Sequence, residues 1–227
     1  MRISVKAFLP CISVSQRVKN KNIKKFHKYK FGLVELKLKQ LLKVKEINQI
    51  ILSTDDLKII RYAKNLRSNK IKIDIRPKKL ASCKTKTDDL ISYASKLFNK
   101  NDHILWTHVT SPFFDEKNYR DAIIKYKKNL KKFDTLVGSN VIQDFIFNQN
   151  KPVNYNFKKT YWPNTQTLKK LYKINNTVFL TSTKNYIKKK NRIGSKLFFY
   201  NVDKINSIDI DNLDDFKLAE KIISVNV

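Results

Sequence analysis

Glycine is almost missing from this chain: Gly32, Gly138 and Gly194 are the three in 227 residues. Glycine-rich phosphate loops are therefore excluded, because they need several glycines close together to bring backbone N–H groups onto phosphate. The two cysteines, Cys11 and Cys83, make neither a disulfide framework nor a metal-ligand spacing. The histidines form no cluster. No run approaches the roughly 18 apolar residues of a membrane helix. Residues 1–15 do not follow the basic, apolar, small order of a signal peptide, since Lys6 and Pro10 interrupt the apolar part. A cytoplasmic protein with no membrane partner is expected.

Acidic residues are also scarce, 19 Asp and Glu against 48 Lys and Arg, for a net charge of +29. Such a charge attracts polyanions. The excess is almost all lysine, 41 against 7 arginines, scattered along the whole chain and accompanied by abundant Asn and Ile. These residues share A/T-rich codons, and base readers favour the arginine fork. Nucleic-acid binding is thus not expected to be the main function. With 41% apolar residues the chain can bury a full core, and one domain spanning 1–227 is expected.

Short β-rich runs alternate with amphipathic helical runs. "ISVKAFL" (3–9), "QIILST" (49–54), "KIDI" (72–75), "HILWTHV" (103–109) and "DTLVGS" (134–139) read as buried strands. Leu90, Ile91, Ala94, Leu97 and Phe98 fall on one helical face, as do Tyr119, Ala122, Ile123, Tyr126 and Leu130. The spacing predicts an α/β fold with a mostly parallel sheet flanked by helices, and ligands beyond the carboxyl ends of the strands. Four polar loops follow strands there: 10–22, "STDD" (53–56), 76–87 and "THVTSP" (107–112). Beyond residue 140 the pattern changes. "DFIFNQNKPVNYNF" (144–157) reads as a hairpin turning at Pro152, either a subunit contact or a hairpin on its own sheet. Strands are expected again at 177–181 and 196–202, and a last helix near 212–224.

Asp209 and Asp211, two apart in an extended stretch, share one side. They are either an exposed acidic loop or a pair of hard oxygen ligands suited to Mg²⁺ beside a phosphate site. Asp214 and Asp215 suit the first turn of the following helix. Lys21 is placed to neutralise phosphate as a point charge. His108, at a strand's carboxyl end, is placed to face a ligand, whereas His103 reads as structural.

In order and spacing, "FLPCISVSQRVKNKNI", "ILSTDD", "IRPKKLAS", "THVTSP", "WPNTQ", "INNTVFL" and "DIDNLDDFKLAE" resemble the acylneuraminate cytidylyltransferase family over almost the whole chain. The resemblance implies a Rossmann-like nucleotide-diphospho-sugar transferase fold and a homodimer built through an arm near 140–172. It implies CTP and a 2-keto sugar acid (sialic, legionaminic or a similar nonulosonic acid) as substrates, joined as a CMP-sugar with release of pyrophosphate. Carried over by position, Asp209 and Asp211 would hold Mg²⁺, with Lys21 and Asp211 catalytic. Pro10, Ser15, Lys21, Asn22, Arg76 and Thr87 would bind the nucleotide. His108, Thr110, Ser111, Gln166 and Asn175 would approach the sugar.

Departures from the family pattern are equally specific. Ile12 stands at an arginine position, Gln16 where lysine or glutamate is common, and His108 where glutamine is common. Asn164–Thr165–Gln166 stands for an Arg–x–Gln motif. Three readings follow: an active cytidylyltransferase, a diverged member that binds nucleotide or sugar without turnover, and a basic nucleic-acid-binding protein.

Overall fold

Strands covered by helices on both faces need near-continuous apolar side chains. In β1 (Ser4–Cys11) this holds, with Val5, Ala7, Phe8 and Leu9 fully buried. The computed structural model describes residues 3–13 and 17–225; Ser15 therefore lies outside the described residues. After β1 come α1 (Gly32–Lys43), β2 (Gln49–Thr54), α2 (Leu57–Asn65), β3 (Ile71–Ile75), α3 (Thr87–Ala94), β4 (Asp102–Trp106) and α4 (Glu116–Asn129). Then follow β5 (Thr135–Ile142), the short β6 (Phe147–Asn148) and β7 (Lys151–Pro152), β8 (Leu171–Ser182), α5 (Thr183–Lys189), β9 (Leu197–Asn201) and α6 (Leu213–Val225).

Seven strands form one sheet in the order β3-β2-β1-β4-β8-β5-β9, parallel except for β8. Side chains alternate across it. Ala7, Leu9 and Leu52 point into a core shared with α1, α2, α4 and α6, while Phe8, Ile51 and Trp106 meet α3 and α5 on the other side. Phe8 lies edge-on to Trp106 at 4.7 Å, an aromatic geometry that adds about 0.5–1.5 kcal/mol to the area buried. From β1 the chain proceeds outward through β2 and β3, then returns to place β4 on β1's other side. The crevice between the carboxyl ends of β1 and β4 is thus the topological switch point, where open α/β sheets bind ligands.

Some expected boundaries move, each for a local reason. β4 ends at Trp106 rather than Val109: the Thr107 hydroxyl bonds to the Thr177 carbonyl at 2.8 Å and to the Tyr119 hydroxyl, leaving His108 in the loop. The apolar run 90–98 is split, because α3 stops at Ala94, a single 3₁₀ turn covers Ser95–Leu97, and Phe98 is extended. Pro152 is not at the hairpin turn. It pairs with Phe147, and the turn falls at Gln149–Asn150, with Gln149 at φ 53°.

Between β5 and β8, the buried Asn154 closes the base of this segment. Its amide donates to the carbonyls of Asp144 (2.8 Å) and Lys169 (3.2 Å). Beyond that base Tyr161 and Trp162 are 71% and 72% exposed, a large aromatic surface left uncovered in a single chain.

Candidate active site

At the switch point lies a cavity of about 370 Å³. Pro10, Cys11, Ile12, Arg17, Lys21 and Asn22 form one wall, Arg76, Cys83 and Leu90 a second, and His108, Val109 and Thr110 a third.

The first wall holds its shape without a glycine-rich turn. Ser13 donates from its backbone N–H (2.9 Å) and its hydroxyl to the Asp55 carboxylate at the end of β2. Asn22 donates to the Ile12 carbonyl at 3.0 Å, and its own carbonyl accepts from Val34 in α1. Gly32, at φ +66°, is what lets the loop close on the helix, since a Cβ there would run into the Lys24 carbonyl. In the second wall, the buried Arg76 donates to the Ser53 carbonyl (2.6 Å) and hydroxyl (3.1 Å). Ser53 and Tyr93 in turn hold Asp74 at 2.7 and 2.8 Å.

Lys21 joins this cavity to the acidic segment before α6. Its ammonium donates to the Ile210 carbonyl at 2.7 Å, and Ile210 N–H donates to Thr110 at 2.8 Å. Burial lowers the Lys21 pKa, with Asp211 and Asp209 pulling it back up. In this loop segment the Ile210 side chain is fully buried, whereas Asp209 is half-buried and Asp211 exposed. Asp209 accepts from the Asn176 amide at 2.8 Å through one oxygen, whereas its other oxygen, Oδ1, is buried with no partner among the described residues. Asp211 pairs with Arg17 at 2.7 Å. Asp215 accepts the N–H groups of Asp211 and Asn212, both at 2.9 Å, and Asn212 caps the first turn of α6.

His108 Nε2 accepts from the Trp106 indole at 3.0 Å and faces Arg192 Nη1 at 3.4 Å, which leaves the ring proton on Nδ1. Burial, then Arg192, Lys21 and Lys37, push its pKa down to about 3, so the ring is neutral near pH 7. Behind this loop Lys37 is fully buried and donates to the carbonyls of Ser111 (2.7 Å) and Phe114 (2.8 Å). Its ammonium lies over the Tyr119 ring, and burial lowers its pKa to about 7.

Of the residues expected from sequence, Pro10, Lys21, Asn22, Arg76, His108 and Thr110 line the cavity; Asp209 and Asp211 adjoin it through Lys21 and Thr110. Ser111 is buried behind the wall, its hydroxyl without a partner among the described residues. Thr87 is exposed at the start of α3, and Leu90, one turn on, reaches the wall instead. Gln166 is exposed in the segment between β5 and β8, its carbonyl bonded to Gln143 at 2.8 Å. Asn175 is buried in the sheet, donating to Asn140 and accepting from Thr177. Its neighbour Asn176 is the one that meets Asp209.

Arg17, Lys37, Asn176 and Arg192 are site residues that sequence reasoning missed. Lys37 did carry a signal: with Val34, Leu38 and Leu41 it falls on the apolar face of α1, all four being buried. Arg17 sat in a basic run that gives no face, and nothing distinguished Asn176 from Asn175.

Residues 10–222 match the family model for cytidylyltransferase. A curated relative, N-acylneuraminate cytidylyltransferase of Escherichia coli O18:K1:H7 (strain RS218 / NMEC), is 24% identical over 230 residues. The match covers 96% of this chain but 52% of the relative, so the chain spans about half the length of that protein. Among solved structures, CMP:2-keto-3-deoxy-manno-octonic acid synthetase complexed with CTP superposes with a TM-score of 0.67 at 9% identity, over 99% of this chain and 100% of that one. 4-Diphosphocytidyl-2C-methyl-D-erythritol synthase from Anaerococcus prevotii DSM 20548 gives 0.66 at 16% identity, over 98% and 97%. These two likenesses are of fold. On the match that spans nearly its whole length, the chain belongs to the cytidylyltransferase family.

Proposed function

We propose that this chain transfers CMP from CTP to the anomeric hydroxyl of a 2-keto sugar acid. The observation that carries the reading is the junction at Lys21: one ammonium on the switch-point cavity, bonded to the Ile210 carbonyl between Asp209 and Asp211 in the chain. The sugar oxygen bonds to the α-phosphorus, the hydroxyl gives up its proton, and the bond to the bridging oxygen breaks as pyrophosphate leaves with the electron pair. Chemistry of this kind depends on positioning and on neutralising charge. Lys21 and Arg17 are the cations of the first wall, and Arg17 takes the part that an arginine at position 12 would have played.

The donor set fits Mg²⁺. Asp209 Oδ1 is buried and unpartnered, Asp211 holds only the exposed Arg17, and among the described residues no third His, Cys, Asp or Glu completes a cluster. Two carboxylates with water and phosphate oxygens completing the shell are what Mg²⁺ prefers. Bound there, the ion supplies charge neutralisation on the triphosphate and a lower pKa for the attacking hydroxyl. Asn176 holds the Asp209 carboxylate directly, and Asp215 fixes the backbone N–H of Asp211.

We further read residues 140–172 as the arm of a homodimer, supported by the exposed Phe147, Tyr161, Trp162 and Tyr172. The test of function is pyrophosphate release by the full chain from CTP and Mg²⁺ with a panel of 2-keto sugar acids. Turnover with at least one acid, lost in Asp211→Ala, is expected. If CTP binds but no acid is turned over, and Ile12→Arg restores reaction, the binding-only reading holds instead.

A further inference from the structure

Loops usually run over the surface, because a buried loop has backbone polar groups to satisfy. The loop after β4 is an exception: Thr107, Val109, Ser111, Pro112 and Phe114 are all buried. The same loop supplies the third wall of the cavity, His108, Val109 and Thr110.

Three of its carbonyls are satisfied by one helix. Lys37 donates to Ser111 at 2.7 Å and to Phe114 at 2.8 Å. Gln40, three residues on and so on the same face of α1, donates to Pro112 at 2.8 Å. Both side chains are buried, Lys37 completely. The ammonium forms no ion pair among the described residues, and Gln40 Oε1 has no partner among them. Burying such groups on an apolar helix face is costly. The loop carbonyls and the Tyr119 ring, 5.0 Å from the ammonium, offset that cost only with the loop in this one place.

At its other end the loop is held at Thr107, by the Tyr119 hydroxyl and the Thr177 carbonyl. Residues 108–110 therefore sit between two anchors. From there the Thr110 carbonyl accepts from Ile210 N–H at 2.8 Å, and the Ile210 carbonyl accepts from Lys21 at 2.7 Å. The first wall hangs on the same helix. Val34 N–H, in the first turn of α1 where such groups lack internal partners, donates to the Asn22 carbonyl at 3.0 Å. One helix thus sets the spacing of the first wall, the third wall and the segment of Asp209 and Asp211.

We propose that Lys37 and Gln40 are positioning residues for the transfer reaction: together they clamp the loop after β4 so that Thr110 holds the Asp209–Asp211 segment in register with Lys21. The inference rests on the reading of this cavity as the site of transfer. Asp115 and Glu116 at the start of α4, the neutral Tyr119 and the neutral His108 are the ionisable groups that face Lys37. A neutral amine keeps two N–H groups, one for each carbonyl, so the clamp works with Lys37 charged or uncharged.

The experiment compares the full chain with Lys37→Met and Gln40→Leu by amide hydrogen exchange, CTP binding and pyrophosphate release with a 2-keto sugar acid. Lys70→Met is the control, since Lys70 bonds to the carbonyls of Leu41, Leu42 and Val44 at the far end of α1, away from the cavity. In Lys37→Met, Ile210 N–H should exchange roughly tenfold faster relative to the amides of β1. Misplaced groups should lower kcat roughly 10- to 100-fold, by the same factor at about pH 6 and about pH 9. Kd for CTP without Mg²⁺ should stay within about threefold. Gln40→Leu should move exchange and kcat in the same direction by less, and Lys70→Met should move neither. A kcat in Lys37→Met within threefold of the unaltered chain overturns the proposal, as does an equal loss in Lys70→Met. Unchanged exchange at Ile210, or a factor that vanishes at the higher pH, overturns it too. Should Lys37→Met fail to fold, Gln40→Leu decides by the same measures. If the unaltered chain turns over no acid, the proposed function falls, and exchange at Ile210 alone accepts or rejects the clamp.

Discussion

Replacing Arg17 by alanine separates what its ion pair does for the fold from what its charge does for the reaction. The Arg17 and Asp211 side chains are 63% and 53% exposed, with 2.7 Å between guanidinium and carboxylate. At that exposure the Coulomb gain is largely screened and the ordering of two side chains opposes it, so the pair contributes about 0–1 kcal/mol. For a chain of this size that is a fall in Tm of no more than about 4 °C. The kinetic effect should be far larger. If Arg17 is the cation that meets the triphosphate in place of Ile12, its loss removes a transition-state donor, which lowers kcat by roughly 10²–10³-fold, or about 2.7–4 kcal/mol. Freed of its partner, the Asp211 carboxylate should also be saturated at lower Mg²⁺. Differential scanning fluorimetry and continuous pyrophosphate release measure the two effects on one preparation. A kcat within threefold of the unaltered enzyme, alongside an inactive Asp211→Ala, would refute the reasoning and make Arg17 a bystander on an acidic loop. Adding Ile12→Arg to Arg17→Ala should return much of the rate.

Three more outcomes follow from the geometry. Lys37 has a folded pKa of about 7 against about 10.4 in an unfolded chain, so the unfolded state binds more protons above pH 7 and stability rises with pH. The slope is at most about 1.4 kcal/mol per pH unit between pH 7 and 9; urea melts should show it, and Lys37→Met should flatten it. Above that window the Cys11 thiol, raised to about 12 by burial, bends the curve back down. Gly32→Ala, at φ +66° and against the Lys24 carbonyl, should cost more than about 2 kcal/mol by thermal denaturation. Because Gly32 packs on the backbone of residues 22–24, next to Lys21 and Asn22, KM for CTP should rise as well. Trp162→Glu, at a side chain 72% exposed, should leave Tm of the protomer nearly unchanged and shift the sedimentation profile from dimer to monomer.

Period and position made much of the fold legible. Alternation of apolar β-rich runs with helical runs foretold a mostly parallel sheet, and the polar loops after β1, β3 and β4 do meet at one edge. What the pattern could not reveal was set by side chains distant in sequence. Thr107 bonds to Thr177 across the sheet and ends β4 early, which no window around Thr107 shows. The antiparallel β8 enters between β4 and β5, a placement that depends on pairing and not on local pattern. In the site, loop position places Lys21, the spacing of Asp209 and Asp211 leaves an acidic loop and a metal pair both open, and Asn22 comes from the family resemblance. The fold brings Lys21 and Asn22 to the cavity and the two aspartates beside it. Arg17 could not be located from sequence, since its partner is 194 residues away. Nor could Arg192, which follows a run of lysines and is distinguished only by the rings it lies on.

The most direct test of the account is the identity of the product. Mass spectrometry of a reaction of the full chain with CTP, Mg²⁺ and a 2-keto sugar acid should show a CMP-sugar, one phosphate between cytidine and the acid, formed in equal amount with pyrophosphate. Hydrolysis of CTP with no sugar adduct, or no reaction with any acid by protein that binds CTP, would contradict it.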